Sequence, residues 1–318
     1  MQIVDFAAGH IGQAARIAKQ NYEMERENVP ALPPVDKTLD LMPFAENGLG
    51  VAAVGDGELL GFLCCWKPRD GAFSIPGLRL VFSPMGANGT VLQNRSKIYA
   101  RLYQAAGAKW AKLGASCHGI CLYAHDMAAQ TQFFRYGFGM RTVDAIRGMD
   151  TLDAPPCETY TFSELAPEDV LEVLPLEHML DGGYIESPFF MYREPTGETE
   201  FLKEYWHFQS VYFVARHEGR IVAFIRAELD GETFIQDTPG YLHCKGLYCL
   251  PEHRGKGVSQ KLLDLLLQKL KSQGYSRLGV DYESINPSGT GFWLKYFGAY
   301  TYGVVRRIDE RGVGEKSC

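Results

Sequence analysis

The segment HRGKGVS, residues 253–259, places two glycines and two cations directly before a strongly amphipathic stretch. Gly255 and Gly257 permit backbone conformations that other residues avoid, and they leave no Cβ between the main-chain amides and a ligand. The first amides of a helix that follows are unpaired and lie at the positive end of its dipole, so such a turn binds anions. Arg254 and Lys256 add full positive charges. The segment therefore predicts a diphosphate site, and the alternative is a tight turn with solvated basic side chains.

The helix behind this turn is predicted from its apolar spacing. Val258, Leu262, Leu266 and Leu270 recur every four residues, and Gly274 is a natural end for the helix. The lysine lies between the glycines, and no Ser or Thr directly follows it. This order differs from the GxGxxG turn of dinucleotide-binding folds and from the phosphate loop of nucleotide hydrolases. The phosphate carrier must therefore be of another kind.

Strands are predicted on both sides of the turn and helix. YLHCKGLYCL at 241–250 precedes the turn, and RLGVDY at 277–282 follows the helix. Two further strands form a hairpin around 217–220, a helix is predicted at 167–176, and AYTYGVVRRID at 299–309 forms the last strand. This order of strand, glycine turn, helix and strand is typical of an α/β domain.

The amino-terminal half repeats this order. It has a strand at 2–7, a helix at 11–22, a hairpin turning at 55–57, a helix at 95–113 and a strand at 118–123. In both halves an aromatic pair follows a strand-end tyrosine by ten residues, namely Tyr123 with Phe133-Phe134 and Tyr282 with Phe292-Trp293. We therefore predict two copies of one domain, residues 1–150 and 159–318, joined by a linker at 151–158. The alternative is two unrelated α/β units that share common elements.

The glycine turn resembles the signature of the GNAT superfamily of acyl-coenzyme A-dependent N-acyltransferases, Arg/Gln-x-x-Gly-x-Gly/Ala. Arg254, Gly257 and Ser259 occupy its three marked positions, with a serine in place of the last small residue. A second family element, an asparagine followed by an aromatic pair and a glycine, is matched by Asn286, Phe292-Trp293 and Gly298. The resemblance covers 159–309 well and 1–150 weakly, so the chain resembles a tandem GNAT protein with a degenerate first copy.

The resemblance implies a fold and a cofactor. The fold is α/β, with two tandem domains that each contain a mixed, mostly antiparallel sheet flanked by helices. The diphosphate is that of acetyl-coenzyme A, held by Arg254, Gly255, Lys256, Gly257, Val258 and Ser259. The main chain of Cys249 and Leu250 would bind the pantetheine arm where two strands splay, and an amide exposed there would polarise the thioester carbonyl. Asn286 would also contact the cofactor arm.

Several residues are candidates for acid and base catalysis. Direct transfer needs a neutral amine, and His243 has a pKa suited to removing its proton. Glu228 and Asp281 are the carboxylate alternatives, and each of the three could instead be a satisfied structural residue. Tyr296 is the candidate acid, since Trp293 stands where the family often has tyrosine.

Two further assignments around the reacting centre remain open. Tyr248 or water are alternatives to Tyr296 as the acid, and Cys249 is either an acyl acceptor or a core thiol.

The acceptor is not specified by the sequence. The segment 177–208 is aromatic and carries Asp181, Glu186 and Glu204, so it either lines a pocket for a cationic acceptor or packs against the sheet. We expect an N-acetyltransferase that acts on a small-molecule or peptide amine by direct attack in a ternary complex. The alternative is a catalytically silent acyl-coenzyme A sensor or interaction protein. A homodimer is left open.

The amino-terminal copy has a different turn at the corresponding position. SPMGANGTV, residues 83–91, keeps Gly86 and Gly89 but lacks both cations, and the helix is predicted to begin only after Gln93. We therefore expect that 1–150 do not bind coenzyme A. The alternative is a second site built on main-chain amides alone.

Composition and charge exclude several classes of partner. The net charge is −6 and the isoelectric point is near 5.8, which gives no reason to expect a nucleic acid or a membrane as partner. No apolar run could span a bilayer and the amino terminus lacks a signal peptide pattern, so we expect a cytoplasmic protein.

The eight cysteines indicate reduced thiols rather than a metal site. They form no CxxC pair, so no metal is expected: Cys64, Cys65, Cys117, Cys121, Cys157, Cys244, Cys249 and Cys318. The cluster of Cys117, His118, Cys121 and His125 is interpreted as a buried strand that runs into a loop.

Overall fold

The computed structural model describes residues 1–312, and its internal contacts divide the chain into two units. Unit 1 comprises 1–144 together with the chain from Gly298, and unit 2 comprises Ala145–Phe297. The final strand therefore groups with unit 1, whereas the predicted second copy included it. The division into two sequence copies, with its linker, stays a prediction.

Unit 1 contains two sheets with helices. Its elements are β1 Gln2–Asp5, α1 Ile11–Asn28, α2 Met42–Glu46, β2 Val51–Gly55, β3 Glu58–Leu63, β4 Leu80–Ser83, β5 Asn88–Thr90, α3 Arg95–Lys112, β6 Cys117–Tyr123, α4 Met127–Arg135, β7 Gly139–Gly148 and the final strand β13 Gly298–Arg307. The last four residues of β7 belong to unit 2. One sheet has the order β1-β2-β3-β5, and in the other β4 pairs parallel and β13 antiparallel with β6. The first sheet is antiparallel throughout and the second is mixed, in agreement with the predicted mixed, mostly antiparallel class.

The core of unit 1 is built around α3. Ile98, Leu102, Ala106 and Trp110 lie on one face of this helix and are buried, so the helical spacing read from the sequence is the buried stripe. The Trp110 Nε1–H donates to the Leu49 carbonyl at 3.1 Å, which satisfies the indole in the core.

The turn that corresponds to the glycine turn is replaced by a strand in unit 1. Residues 88–90 form β5, which pairs with β3 through Phe62↔Gly89. Helix α3 then begins at Arg95, after Asn94 in a left-handed conformation with φ of 59°. The helix start after Gln93 was predicted, and the strand was not.

A buried arginine fills the amino-terminal end of α3. The Arg95 side chain is 8% exposed and its Nη1 lies 2.8 Å from Asp126 Oδ2. Its Nε donates to Thr90 Oγ1 at 3.1 Å, and Nη2 donates to Asn21 Oδ1 and to the Thr90 carbonyl. Asp126 also caps α4 by accepting from the Ala129 N–H. The place where a helix would otherwise attract an anion therefore carries an internal cation with its own partner.

Unit 2 contributes five consecutive strands of a sheet, with helices packed on them. Its elements are β8 Thr161–Glu164, α5 Leu174–Gly183, α6 Glu198–His207, β9 Val211–His217, β10 Arg220–Glu228, β11 Tyr241–Cys249, α7 Val258–Ser272, β12 Arg277–Glu283 and α8 Pro287–Tyr296. The strand order is β12-β11-β10-β9-β8. The pair β11–β12 is parallel, and the pairs β10–β11, β9–β10 and β8–β9 are antiparallel.

Helix α7 anchors this sheet. It packs on β9, β10 and β11, and its leucines at 262, 263, 266, 267 and 270 have no exposed surface. The predicted helix at 167–176 is instead a 3-10 segment, Pro167–Val173, that leads into α5. Pro175 lies near the start of α5, where a missing N–H costs no helical bond.

Seven of the eight cysteines lie in the described part of the chain, where the predicted reduced state can be compared with the structure. In the described part of the chain Cys64, Cys65, Cys117, Cys121, Cys157, Cys244 and Cys249 are free, and Cys318 lies outside the described residues. Within 1–312 no group of three His, Cys, Asp or Glu side chains could hold a metal ion. No helix among these residues is long and apolar enough to cross a membrane.

Replacing Arg95 by methionine should destabilise the protein by about 3 kcal/mol, because it leaves the buried Asp126 carboxylate without its cation. Urea denaturation of the full chain measures the loss. Arg101→Met, on an exposed position of the same helix, is the matched control and should change stability little. Equal losses in both variants would contradict the role given to the buried guanidinium.

Candidate active site

A cavity of about 930 Å³ in unit 2 begins at the glycine turn. Four segments line it: the end of β11, the turn with the start of α7, helix α8, and the end of α5 with the loop after it. Arg254, Gly255, Gly257, Val258 and Ser259 lie at one end, and Leu247, Tyr248, Cys249, Asn286, Phe292, Trp293 and Tyr296 line the remainder with residues of the 179–189 segment. The predicted cofactor residues therefore come together in one pocket, apart from Lys256 and Leu250, which do not line it.

The pocket lies where β11 and β12 part. Their parallel pairing ends at Cys244↔Val280, although β11 continues to Cys249 and β12 to Glu283. On its other edge β11 stays paired with β10 up to Ala223↔Cys249. One edge of β11 is thus free of a neighbouring strand over its last residues, and the splay implied by the resemblance is present here.

The register determines which main-chain groups face this open edge. The Leu250 N–H donates to the Val222 carbonyl at 2.9 Å, and the Leu250 carbonyl accepts from the His253 N–H at 2.9 Å. Cys249 is therefore in a non-hydrogen-bonded position opposite Ala223, so its N–H and carbonyl point away from β10. The same alternation turns the main chain of Leu247 outward. Leu250, predicted to bind the pantetheine arm, has both main-chain groups engaged in the protein, whereas those of Leu247 and Cys249 face the open edge.

The turn has the conformation that its glycines require. Gly255 and Gly257 have φ of 73° and 81°, in the region that favours glycine. Gly257 is the cap of α7, and no side chain caps the helix. The first helical hydrogen bond runs from the Lys261 N–H to the Gly257 carbonyl, so the amides of 258–260 have no acceptor among the described residues. These amides and the adjoining turn form an anion-binding end.

The two cationic side chains of the turn differ in their position relative to the pocket. Arg254 is exposed and lines the pocket, and its Nε donates to the Cys249 carbonyl at 2.9 Å. Its guanidinium lies 5.7 Å from the centre of the Tyr248 ring. Lys256 is exposed but does not line the pocket. The positive charge at the pocket mouth comes chiefly from Arg254.

Helix α8 supplies one wall. Asn286 caps this helix by accepting from the Gly289 N–H at 2.8 Å, and it also lines the pocket. Trp293 is 7% exposed and packs edge-on against Phe297. Tyr296 is half-buried, lines the pocket and packs against Phe292, while its hydroxyl bonds to none of the described residues. Tyr296, the candidate acid predicted because position 293 is a tryptophan, therefore has a hydroxyl available in the pocket.

His243 lies inside the domain rather than in the pocket lining. It is 1% exposed, its Nδ1 lies 2.5 Å from the Tyr241 hydroxyl and its Nε2 lies 2.8 Å from Asp281 Oδ1. Burial alone would raise the pKa of the Asp281 carboxyl, but His243 and Lys245 beside it lower that pKa to about 2. Both ring nitrogens of His243 have partners, so its position does not suit it to receive a proton from a substrate.

Glu228 is also engaged away from the pocket. Its Oε2 accepts from the Ser210 hydroxyl at 2.9 Å and lies 3.6 Å from Arg226 Nε. From the sequence, His243 and Glu228 were candidate bases. In the structure, both side chains form hydrogen bonds with other residues inside the domain.

The segment after α5 closes the pocket opposite α8. Tyr184, Glu186 and Phe189 line it, and Tyr184 lies under the Arg193 guanidinium at 3.8 Å from the ring centre. Arg193 in turn lies 3.6 Å from Asp181. Of the three acidic residues singled out in this segment, Glu186 lines the pocket, Asp181 has a cation beside it, and Glu204 lies on α6 outside the lining.

Comparison with known proteins gives one family match and several similar folds. The profile of the acetyltransferase (GNAT) family matches residues 183–299. A search of the curated proteins gives no significant match.

Among solved structures, a GCN5-related N-acetyltransferase from Sphaerobacter thermophilus is 13% identical, with a TM-score of 0.59 over 96% of this chain and 95% of that one. A GNAT-family acetyltransferase from Colwellia psychrerythraea is 13% identical, with a TM-score of 0.48 over 97% and 100%. A tandem GNAT protein from the clavulanic acid biosynthesis pathway is 12% identical, with a TM-score of 0.44 over 96% and 98%. The likeness to the first of these confirms the predicted mixed α/β fold, and the match to the acetyltransferase (GNAT) family profile covers residues 183–299.

Proposed function

We propose that unit 2 is an N-acetyltransferase that moves an acetyl group from acetyl-coenzyme A to an amine by direct attack in a ternary complex. The observation that carries the proposal is a single pocket that joins an anion-binding helix end to the open edge of β11. A diphosphate and an extended arm of coenzyme A require these two features together. The acceptor we propose is a small-molecule or peptide amine.

The diphosphate would lie at the start of α7. The free amides of 258–260, the helix dipole and Arg254 all favour a dianion there, and no carboxylate of the described lining lies at this end. The pantetheine arm would extend along the outward-facing main chain of Cys249 and Leu247. Asn286 would contact the arm from α8.

The reacting carbonyl would lie at the fork between β11 and β12. An outward N–H of β11 can donate to the carbonyl oxygen, whose negative charge grows as the amine attacks, and a fixed donor of this kind is worth roughly a hundredfold in rate. The amine nitrogen forms the new C–N bond, the C–S bond breaks, and the thiolate leaves. Tyr296 is the proposed proton donor to that thiolate.

The acceptor side of the pocket would attract a cation. Glu186 carries the one carboxylate among the described lining residues, and Tyr184 and Phe189 provide aromatic surface beside it. An ammonium group would be held there, and water would carry its proton away before attack. We therefore do not propose His243 or Glu228 as the base.

Cys249 is proposed to stay a thiol throughout the reaction. Burial raises the pKa of this thiol, although Arg254 nearby lowers it in part. A neutral, buried thiol is a poor nucleophile, which supports direct transfer over an acyl-enzyme intermediate.

The experiment that tests the function is release of free thiol from acetyl-coenzyme A in the presence of a panel of amines. Turnover with one class of amine supports the enzyme and names its acceptor. Tight coenzyme A binding without turnover on any amine would support the silent sensor, which the tryptophan at position 293 suggested from the sequence.

Arg254→Glu should weaken coenzyme A binding by a factor of ten or more, because a negative charge replaces a positive one beside the diphosphate, at about 1.4 kcal/mol per factor of ten. Calorimetry measures the affinity, and the wild-type titration should give one coenzyme A per chain. Arg220→Glu makes the same charge change at an exposed position outside the pocket lining and should leave the affinity nearly unchanged. Equal affinity in the Arg254 variant and the wild type would place the diphosphate elsewhere.

Tyr296→Phe should lower kcat by a factor of about ten to a hundred with little change in the KM for acetyl-coenzyme A, since a positioned acid acts mainly in the transition state. Steady-state rates measured across pH provide the comparison. Tyr248→Phe removes another hydroxyl of the same pocket and serves as the matched variant. A rate loss in the Tyr248 variant alone would move the acid to that residue.

A further inference from the structure

The segment 152–160, here called the strap, runs along the diphosphate turn and the first turns of α7. Its residues contact successive positions of the turn and helix in order. The pairs are Leu152 with Asp264, Asp153 with Gln260, Pro155 with Gly257, Cys157 with Lys256, and Tyr160 with His253. The sequence predicted a linker at 151–158 from its prolines and polarity, and it indicated none of these contacts.

The upper end of the strap is fixed to a buried acid on α7. The Leu152 N–H donates to Asp264 Oδ1 at 2.9 Å, and Asp264 is 3% exposed. Asp264 Oδ2 also accepts from Gln268 at 2.8 Å, so this carboxylate is held in place from two sides. One turn closer to the diphosphate end, Gln260 Nε2 donates to the Asp153 carbonyl at 2.8 Å.

The middle of the strap packs against the turn itself. A Cβ built on Gly257 would lie 2.5 Å from Pro155 Cγ, so this proline ring closes the back of the glycine. The Cys157 thiol lies 3.5 Å from the Lys256 carbonyl and donates to it. Gly257 is therefore needed both for its φ of 81° and for the space that the strap occupies.

The lower end of the strap holds the residue before Arg254. The Tyr160 hydroxyl and His253 Nδ1 lie 3.0 Å apart, and the rings of Tyr160, His253 and His217 pack together at 5.1 to 5.6 Å between centres. His253 and Gln260 line the pocket, whereas the strap residues do not. The strap thus contacts the turn from the side that a ligand leaves free.

We propose that the strap is a positioning element for the diphosphate site: it holds 253–260 in the conformation in which their amides face one anion. The inference rests on the proposed function, since it takes coenzyme A as the ligand. A loop with two glycines separated by one residue has many conformations, and ordering it upon binding costs conformational entropy. The strap contacts remove part of that cost before the ligand arrives.

The test compares Pro155→Ala/Tyr160→Phe with a matched control, Pro156→Ala/Tyr275→Phe. Pro156 is the neighbouring exposed proline, whereas Pro155 is the one that lies against Gly257, and Tyr275 is a half-buried tyrosine outside the lining of the coenzyme A pocket. Calorimetry with coenzyme A should show affinity about tenfold weaker in the strap variant, because one hydrogen bond and one packing contact are lost. The control should bind within twofold of the wild type.

Amide hydrogen exchange of the free proteins supplies a second measurement. The amides of 255–260 should exchange faster in the strap variant than in the control, while those in the buried part of α7 stay equally protected. Equal affinity and equal exchange in both variants would overturn the proposal, as would a uniform loss of protection along α7. If the wild type binds no coenzyme A the proposed function fails, and the exchange comparison still decides whether the strap orders the turn.

Discussion

The site depends on the loss of one strand pairing. β11 and β12 are hydrogen-bonded up to Cys244 and Val280 and then separate, although both strands continue. Main-chain groups in a sheet normally satisfy one another, and a separation leaves those of one edge without a strand partner. In β11 the alternation set by its pairing with β10 turns Leu247 and Cys249 toward that edge. The same strand leads directly into the glycine turn, so the open edge and the anion-binding end are parts of one continuous chain segment.

The two units contain comparable helices whose amino-terminal ends have opposite character. Helix α7 begins with free amides behind a glycine turn and with an exposed arginine in front. Helix α3 begins with a buried arginine that bonds to Thr90, Asn21 and Asp126. A guanidinium enclosed by its own acceptors leaves neither charge nor space for a diphosphate. The position of one arginine relative to the helix end thus distinguishes the proposed diphosphate end of α7 from the internally paired end of α3.

The sequence predicted those features that depend on neighbouring residues. The glycine turn, the leucine stripe of α7, the hairpin of β9 and β10, and α3 all follow from spacing within one segment. The outward direction of Cys249 and the engagement of Leu250 could not be predicted, because they depend on the register with β10. The burial of His243 and Glu228 likewise depends on partners that lie on other elements, such as Asp281 and Ser210. The contacts of the strap with the turn and α7 could not be predicted either, because they join residues about a hundred positions apart in the sequence.

The placement of titratable groups favours a mechanism that relies on position more than on strong acid and base catalysis. His243 and Asp281 hold each other inside the domain, and a carboxyl whose pKa is near 2 is a weak base at neutral pH. The pocket itself offers Glu186 for an ammonium group and Tyr296 for a leaving thiolate. A thioester is already activated and a thiolate is a good leaving group, so the largest contribution left to the protein is to bring amine and carbonyl together beside a fixed N–H donor. In the proposed reaction, rigid main chain at the fork and an ordered diphosphate turn would provide that alignment, since they would fix both ends of the cofactor arm.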